Sequence, residues 1–364
     1  MESMEIVTSA IPSTNFWYGK RVLITGHTGF KGAWLALWLH KLGASINGVS
    51  LPALTAPNLF DLACIQDLGN SHLCDIRDAD RLLTLVRSIQ PEVVFHLAAQ
   101  ALVRTSYKEP LSTLATNVQG TANLLEALRT INSVRSVVIV TSDKVYRNLE
   151  QKNPYRESDG LGGHDPYSAS KAAAEIVVDC YRDAFFAERG VALATARAGN
   201  VIGGGDWSED RLIPDAIRAW NSDNCLYIRR PRAIRPWQHV LEPLAGYLRY
   251  AESLWHNPGL AGPCNFGPLN DSSSTVRDLV LLAQQANGMG KVIWGDGSEG
   301  PYETSRLELD TTKARILLGV LPRWSLSEAV KLTLNWYGQQ RQGHEASALC
   351  LSDIAKYEDT SKSR

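Results

Sequence analysis

Residues 21–32, Arg-Val-Leu-Ile-Thr-Gly-His-Thr-Gly-Phe-Lys-Gly, decide how this chain is read. An apolar run of strand length enters a turn with glycines three apart, at Gly26, Gly29 and Gly32. From Lys31 to Leu42 apolar residues (Trp34, Leu35, Trp38, Leu39, Leu42) then recur at helical spacing, with Gly43 as the stop. In such a strand–turn–helix unit the first glycine permits the tight turn. The second lets backbone approach a pyrophosphate, and the third allows close helix–strand contact. The unpaired N–H groups of the helix start supply positive potential to the anion. The loop predicts a dinucleotide site that Gly26, Thr28, Gly29, Phe30, Lys31 and Gly32 touch, with His27 and Lys31 either on the pyrophosphate or solvated.

Working outward, buried strands are expected at 44–51, 72–74, 93–97, 136–141 and 191–197. Helical patterns alternate with them at 79–89, 111–131 and 166–189. This predicts an α/β fold, a Rossmann-type doubly wound parallel sheet over residues 17–199, with its ligand crevice at the carboxyl ends of the first and fourth strands. After Asn200 the texture turns to Gly203-Gly-Gly205, many arginines and shorter elements. Residues 200–236 and 259–340 read as a smaller C-terminal α/β substrate-binding lobe. Residues 237–258 return to the main sheet, and 341–364 read as a loose polar tail.

Composition narrows the function classes. Lys+Arg total 37 against 38 Asp+Glu, a net charge of −1, which lacks the basic excess that bulk nucleic-acid binding needs. The six cysteines show no metal-type spacing, so no metal is expected and reduced thiols in a cytoplasm are the simplest reading. Glu2 and Glu5 stand where a signal peptide would be basic, and no long uncharged apolar run suggests a membrane span.

About twenty residues past the glycine loop, where a carboxylate usually takes the adenosine ribose, the chain reads Val49-Ser50-Leu51-Pro52. Ser50 is a weaker ribose partner, and no arginine stands there for a 2′-phosphate. NAD is expected over NADP, and weakly retained.

Tyr167 and Lys171 are four apart at the start of a helix, hence on one face. A lysine cation beside the phenol is expected to lower its pKa from about 10, making Tyr167 a base for a sugar hydroxyl.

At this point the residues carry a resemblance. The TGHTGFKG loop, His96-Leu-Ala-Ala-Gln100, Asn117-Val-Gln-Gly-Thr121 and Tyr167…Lys171 together resemble the extended short-chain dehydrogenase/reductases over about residues 17–340. The resemblance implies NAD contacts from Asp75, Ile76, Leu97, Ala98 and Ala99 as well as from the loop, Ser50, Tyr167 and Lys171. It also implies a homodimer through the 111–131 and 166–189 helices.

Ser142-Asp143-Lys144 stands where the nucleotide-sugar 4,6-dehydratases of this superfamily carry Thr-Asp-Glu. With the GHTGFKG loop, Ser50-Leu-Pro-Ala53 and Arg197-Ala-Gly-Asn200, it is similar to the branch acting on CDP-glucose. By that resemblance Tyr167 takes the 4-OH proton, Ser142 steadies the C4 oxygen, and Asp143 protonates the departing C6 hydroxyl. Lys144 either loses its charge and removes the C5 proton, the preferred reading, or stays charged and stabilises the enolate. Asn200 and Arg235 are implied ligands of the sugar diphosphate, with Gln100 in the substrate pocket and Tyr302 closing it. Arg211 and Arg218 are further diphosphate candidates, because guanidinium groups suit a diphosphate. The competing expectations are a nucleotide-sugar 4-epimerase, a dehydratase for a dTDP- or GDP-linked sugar, and a non-catalytic NAD-sensing protein.

Overall fold

A computed structural model describes residues 11–269, 274–288, 290–299 and 304–359. The apolar runs form β1 (Arg21–Thr25), β2 (Ser45–Ser50), β3 (Asn70–Leu73), β4 (Val93–His96), β5 (Ser136–Val140), β6 (Ala192–Ala198) and β7 (Pro263–Phe266). They make one sheet in the order β7-β6-β5-β4-β1-β2-β3, with every pair parallel. The order reverses between β1 and β4, where Thr25 pairs with His96, so the crevice opens where the sequence places it.

Helices cover both faces, as a parallel sheet requires. One face carries α1 (Phe30–Lys41) and, later in the chain, the helix 241–256. The other carries α2 (Ala79–Ile89), α3 (Gly120–Arg129) and α4 (Pro166–Tyr181). Asp165 caps α4 by accepting from the Ser168 N–H, and Pro166 sits at its first turn, so the start of the Tyr167 helix is fixed locally.

α1 is apolar nearly all round, which demands cover on its outer side as well. That cover corrects the expectation for the tail. After α5 (Leu212–Asn221), α6 (Leu241–His256), α7 (Val276–Asn287) and α8 (Leu326–Arg341), residues 346–358 form α9 (Ala346–Glu358), not a loose polar segment. Leu349, Cys350, Ile354 and Tyr357 are buried along one side of α9 in the main core. Glu358 accepts from the Trp38 indole at 2.8 Å, and Tyr357 donates to Glu242 at 2.7 Å.

A second expectation is also corrected. Residues 263–266, read into the smaller lobe, are the edge strand β7, and Trp336 of α8 lies in the main core. The smaller lobe is α5 and α7 packed on a parallel pair of short strands, Cys225–Ile228 and Lys291–Trp294, around Ala216, Leu226, Ile228 and Val280.

Candidate active site

The glycine loop lies at the end of β1 against β4. Gly26 has φ +79°, and a Cβ there would stand 2.6 Å from the Ala98 amide nitrogen. A Cβ on Gly32 would stand 2.1 Å from the Gly26 carbonyl oxygen. A Cβ on Gly29 would meet only that same oxygen, at 3.3 Å, so the middle glycine is the one facing open space. Gly29 is also the N-cap of α1, with no side chain capping it and no carboxylate in the first turn. Unpaired amides, no competing anion and a backbone that can be closely approached fit a pyrophosphate.

His27 is tied to the scaffold. Its ring lies over Gly48 of β2, where a Cβ would come within 2.4 Å of it, and its Nε2 hydrogen-bonds the Ser71 hydroxyl at 2.7 Å. Burial, aided by His72, pushes its pKa down to about 4, so it is neutral near pH 7. Ser50 and Thr28 share a hydrogen bond at 2.7 Å, and Thr28 also donates to the Leu51 carbonyl. Asp75 is tied to the Arg77 guanidinium at 2.6 Å, and Asn123 donates to the Ile76 carbonyl at 3.0 Å. Leu97 and Ala98 close the loop from β4, their N–H groups donating to the Thr25 carbonyl and hydroxyl; Ala99 follows, half-buried.

One hydrogen-bonded chain joins the quoted motifs. Thr25 Oγ1 and His96 Nδ1 are 2.6 Å apart, and His96 Nε2 and Thr121 Oγ1 are 3.1 Å apart. Thr121 donates to the Asn117 carbonyl. The Asn117 amide donates to Ser170 Oγ at 2.8 Å, and Ser170 donates to the Tyr167 carbonyl. This chain locks the Tyr167 helix to the end of β4. Gln100 reinforces the same lock, since its side chain donates to Thr113 and the Leu102 carbonyl and accepts from the Leu102 N–H. Gln100, expected in the substrate pocket, has these protein partners.

β5 leads into the candidate reacting residues. Ser142, Asp143 and Tyr167 are buried. The Ser142 hydroxyl donates to Asp143 Oδ1 at 2.9 Å, and Lys144 Nζ is 3.5 Å from the same oxygen. Asp143 Oδ2 is buried without a partner, against the backbone of Gly199, where a Cβ would stand 3.0 Å from it. Lys171 donates to the Val140 carbonyl at 3.2 Å, and burial brings its pKa down to about 8 while Glu175 pulls it up. The Tyr167 phenol departs from expectation. Its pKa is raised, because burial outweighs the opposing pull of the Ser142 hydroxyl and Arg211.

Beneath this layer lies a network that sequence reading missed. Arg197 donates to both oxygens of Glu175, at 3.0 and 2.8 Å, and Thr141 and Thr195 donate to them at 2.5 and 2.7 Å. Both partners are buried, and Arg197 also reaches the Tyr146 hydroxyl. The one available signal is that Glu175 follows Lys171 by four on an otherwise apolar helix face.

The substrate side is mixed. Asn200 Oδ1 is buried and unpartnered, as an atom awaiting a ligand would be. Arg211 donates to the Ala101 carbonyl at 3.2 Å, and its charge is felt at Tyr167 and Lys31, so it borders the reaction centre. Arg218 instead pairs with Asp215 and donates to the carbonyls of Trp207 and Ser208, which holds the loop before α5. Arg235 is buried and donates to the Ile234 carbonyl. Tyr302 lies outside the described residues. Among the described residues no cluster of ligating side chains suits a metal ion, and no helix is long and apolar enough to cross a membrane.

Comparison with known proteins agrees with this geometry. A family profile described as GDP-mannose 4,6 dehydratase matches residues 23–255. A CDP-glucose 4,6-dehydratase of Salmonella typhimurium is 44% identical over 349 residues, 94% of this chain and 97% of its own. A CDP-paratose 2-epimerase of Salmonella typhi is 35% identical over 173 residues, 43% of this chain and 51% of its own. The fold is shared with a dTDP-glucose 4,6-dehydratase from Bacillus anthracis solved with NAD, at TM-score 0.73 and 22% identity over 88% of this chain and 97% of the other. It is shared too with MoeE5 in complex with UDP-glucose and NAD, at TM-score 0.75 and 24% identity over 89% of this chain and 100% of the other.

Proposed function

We propose that this chain, which belongs to the GDP-mannose 4,6-dehydratase family, is a hydro-lyase that converts CDP-glucose to CDP-4-dehydro-6-deoxyglucose with NAD as its cofactor. The observation that carries this reading is Ser142-Asp143-Lys144 at the end of β5. It is a hydroxyl, an acid and an amine joined through one carboxylate oxygen, with the other oxygen buried and without a partner.

The residues fit a dinucleotide: the uncapped amides at Gly29 take the pyrophosphate, and the loop, β4 end, Tyr167 and Lys171 hold the rest. When bound, NAD accepts hydride from C4 of the sugar and gives it back at C6, so it is unchanged over the cycle. Tyr167 accepts the 4-OH proton as the phenolate, the form that Ser142 and Arg211 favour against the burial that raises its pKa. The ketone at C4 makes the C5 proton acidic. Moving one proton from the Lys144 ammonium to the Asp143 carboxylate, 3.5 Å away, converts the ion pair to amine and acid. Lys144 then takes the C5 proton while Asp143 gives its proton to the C6 oxygen, which leaves as water; as hydride returns to C6, Lys144 gives its proton back to C5, and the 4-OH proton held by Tyr167 is released to re-protonate Lys144, restoring the ion pair. Asn200 and Arg235 bind the diphosphate, with Arg211 at its edge.

The cytidine preference rests on the 44% identical relative and on no single residue of the site. We place the enzyme in the cytoplasm as a homodimer, feeding deoxysugar synthesis for surface polysaccharide such as O-antigen. All six cysteines are unpaired, and Leu111 and Ile176 are 80% and 60% exposed on the two helices expected at the dimer contact.

The test is to incubate the protein with NAD and, separately, CDP-glucose, dTDP-glucose, GDP-mannose and UDP-glucose, and to weigh the products. Loss of one water from CDP-glucose without net NADH is expected. Water loss from a different sugar nucleotide would move the nucleotide assignment, and epimerisation at unchanged mass would replace the dehydratase reading.

A further inference from the structure

Tyr247 stands on α6, under the end of the sheet where the glycine loop and β5 deliver their residues. Its side chain is fully buried, and its hydroxyl has no hydrogen-bond partner. The ring is fixed edge-on to Phe266, with centroids 5.5 Å apart, and Lys31 Nζ lies 5.9 Å from its centre. Asp143 and Tyr167 are near enough that their charges would act on its hydroxyl.

A buried hydroxyl without a partner destabilises the state in which it is found, and phenylalanine would fill the same space without that penalty. A tyrosine here makes sense if the hydroxyl gains a partner in another state. The neighbours identify what that partner is. Lys31 belongs to the pyrophosphate loop, while Tyr167 and Asp143 mark the reacting carbons. The part of a dinucleotide that lies between a pyrophosphate and a reacting carbon is its nicotinamide end. The polar group on that ring is the carboxamide, whose carbonyl accepts and whose amine donates.

We propose that Tyr247 is a positioning residue for the cofactor, its hydroxyl hydrogen-bonding the nicotinamide carboxamide and so fixing the ring against the sugar. The inference rests on the NAD reading above. It assigns a role to a helix outside the glycine loop and the Tyr167 helix, and it explains why an orphan hydroxyl is kept in a dry site.

The test compares the full-length protein with Tyr247→Phe, measuring calorimetric affinities for NAD, for ADP-ribose, which lacks the nicotinamide, and for pyridine adenine dinucleotide, which keeps the ring and lacks the carboxamide. The variant should melt no lower than the parent, because only an unpaired hydroxyl is removed. It should bind NAD about tenfold more weakly, the worth of one hydrogen bond, and ADP-ribose equally well. The parent should prefer NAD over the pyridine analogue by about the same factor, and the variant should lose that preference. Equal NAD affinity in parent and variant overturns the inference, as does a parallel loss of ADP-ribose or a lower melting point, either of which marks a structural role. A parent protein that binds ADP-ribose and NAD not at all overturns the cofactor reading itself.

Discussion

Replacing Arg197 with methionine should be among the most damaging single changes in this protein. The guanidinium donates two hydrogen bonds to Glu175, and both groups are buried at the base of the site. Without it the Glu175 carboxylate keeps only the Thr141 and Thr195 hydroxyls, in a place water does not reach. Breaking one side of a buried pair typically costs about 3–5 kcal/mol, because an uncompensated charge is left behind. The unfolding entropy of a 364-residue chain, taken at roughly 2 cal/mol/K per residue, is about 0.7 kcal/mol/K, so the melting point should fall by about 4–7 °C. Replacing both partners, Arg197→Met with Glu175→Met, removes the stranded charge and should recover most of that loss. The assay is thermal unfolding of the two single variants and the double, followed by circular dichroism at fixed protein concentration. A single variant that melts within about 1 °C of the parent, or a double variant no better than the worse single, refutes the claim that the pair works as a compensated unit.

Gly26→Ala should abolish NAD binding or folding, since the added Cβ would lie 2.6 Å from the Ala98 nitrogen at a φ of +79° that alanine rarely adopts; ordinary NAD affinity in that variant would contradict the loop geometry. Asp143→Asn, titrated with CDP-glucose and NAD, should still build absorbance at 340 nm while eliminating water about a hundredfold or more slowly, because the general acid and the acceptor of the Lys144 proton are lost while Tyr167 is kept; near-parent turnover would remove Asp143 from the elimination. Stability should fall on acidification from pH 6.5 toward pH 4, because His27, His96 and His239 have pKa values lowered to about 4, 3 and 3 by burial while the unfolded chain protonates near 6.5. The unfolded state then binds more protons, and each histidine contributes up to about 1.4 kcal/mol per pH unit; a melting point flat over that range would count against it. Leu111→Glu with Ile176→Glu should give a monomer by light scattering, and an unchanged mass would place the subunit contact elsewhere.

Much of the fold was legible because its signals are local. The β1–glycine–α1 unit, the β-branched run of β5 and the Asp165–Pro166 start of α4 are each set by backbone sterics and burial within a dozen residues. The candidate reacting residues are grouped by equally local signals: Ser142, Asp143 and Lys144 are adjacent, and Tyr167 and Lys171 share one helix face. Local pattern also misleads where it is faint. The α9 side formed by Ala346, Leu349, Cys350, Ile354 and Tyr357 has helical period, yet its polar interruptions made it read as a tail.

What the sequence determines alone, then, is the order of elements and the chemical types gathered at the carboxyl ends of β1, β4 and β5, because strand, turn and cap preferences act over neighbouring residues. Tertiary structure decides what each of those side chains faces. It ties Gln100 and Arg218 to neighbouring loops, hides His27 over Gly48, and leaves Asp143 Oδ2, Asn200 Oδ1 and the Tyr247 hydroxyl without partners. It also reverses the expected pull on Tyr167. Desolvation depends on every group packed around the phenol, and the groups that act on it, Ser142, Arg211, Asp143 and Asp165, come from separate stretches of the chain.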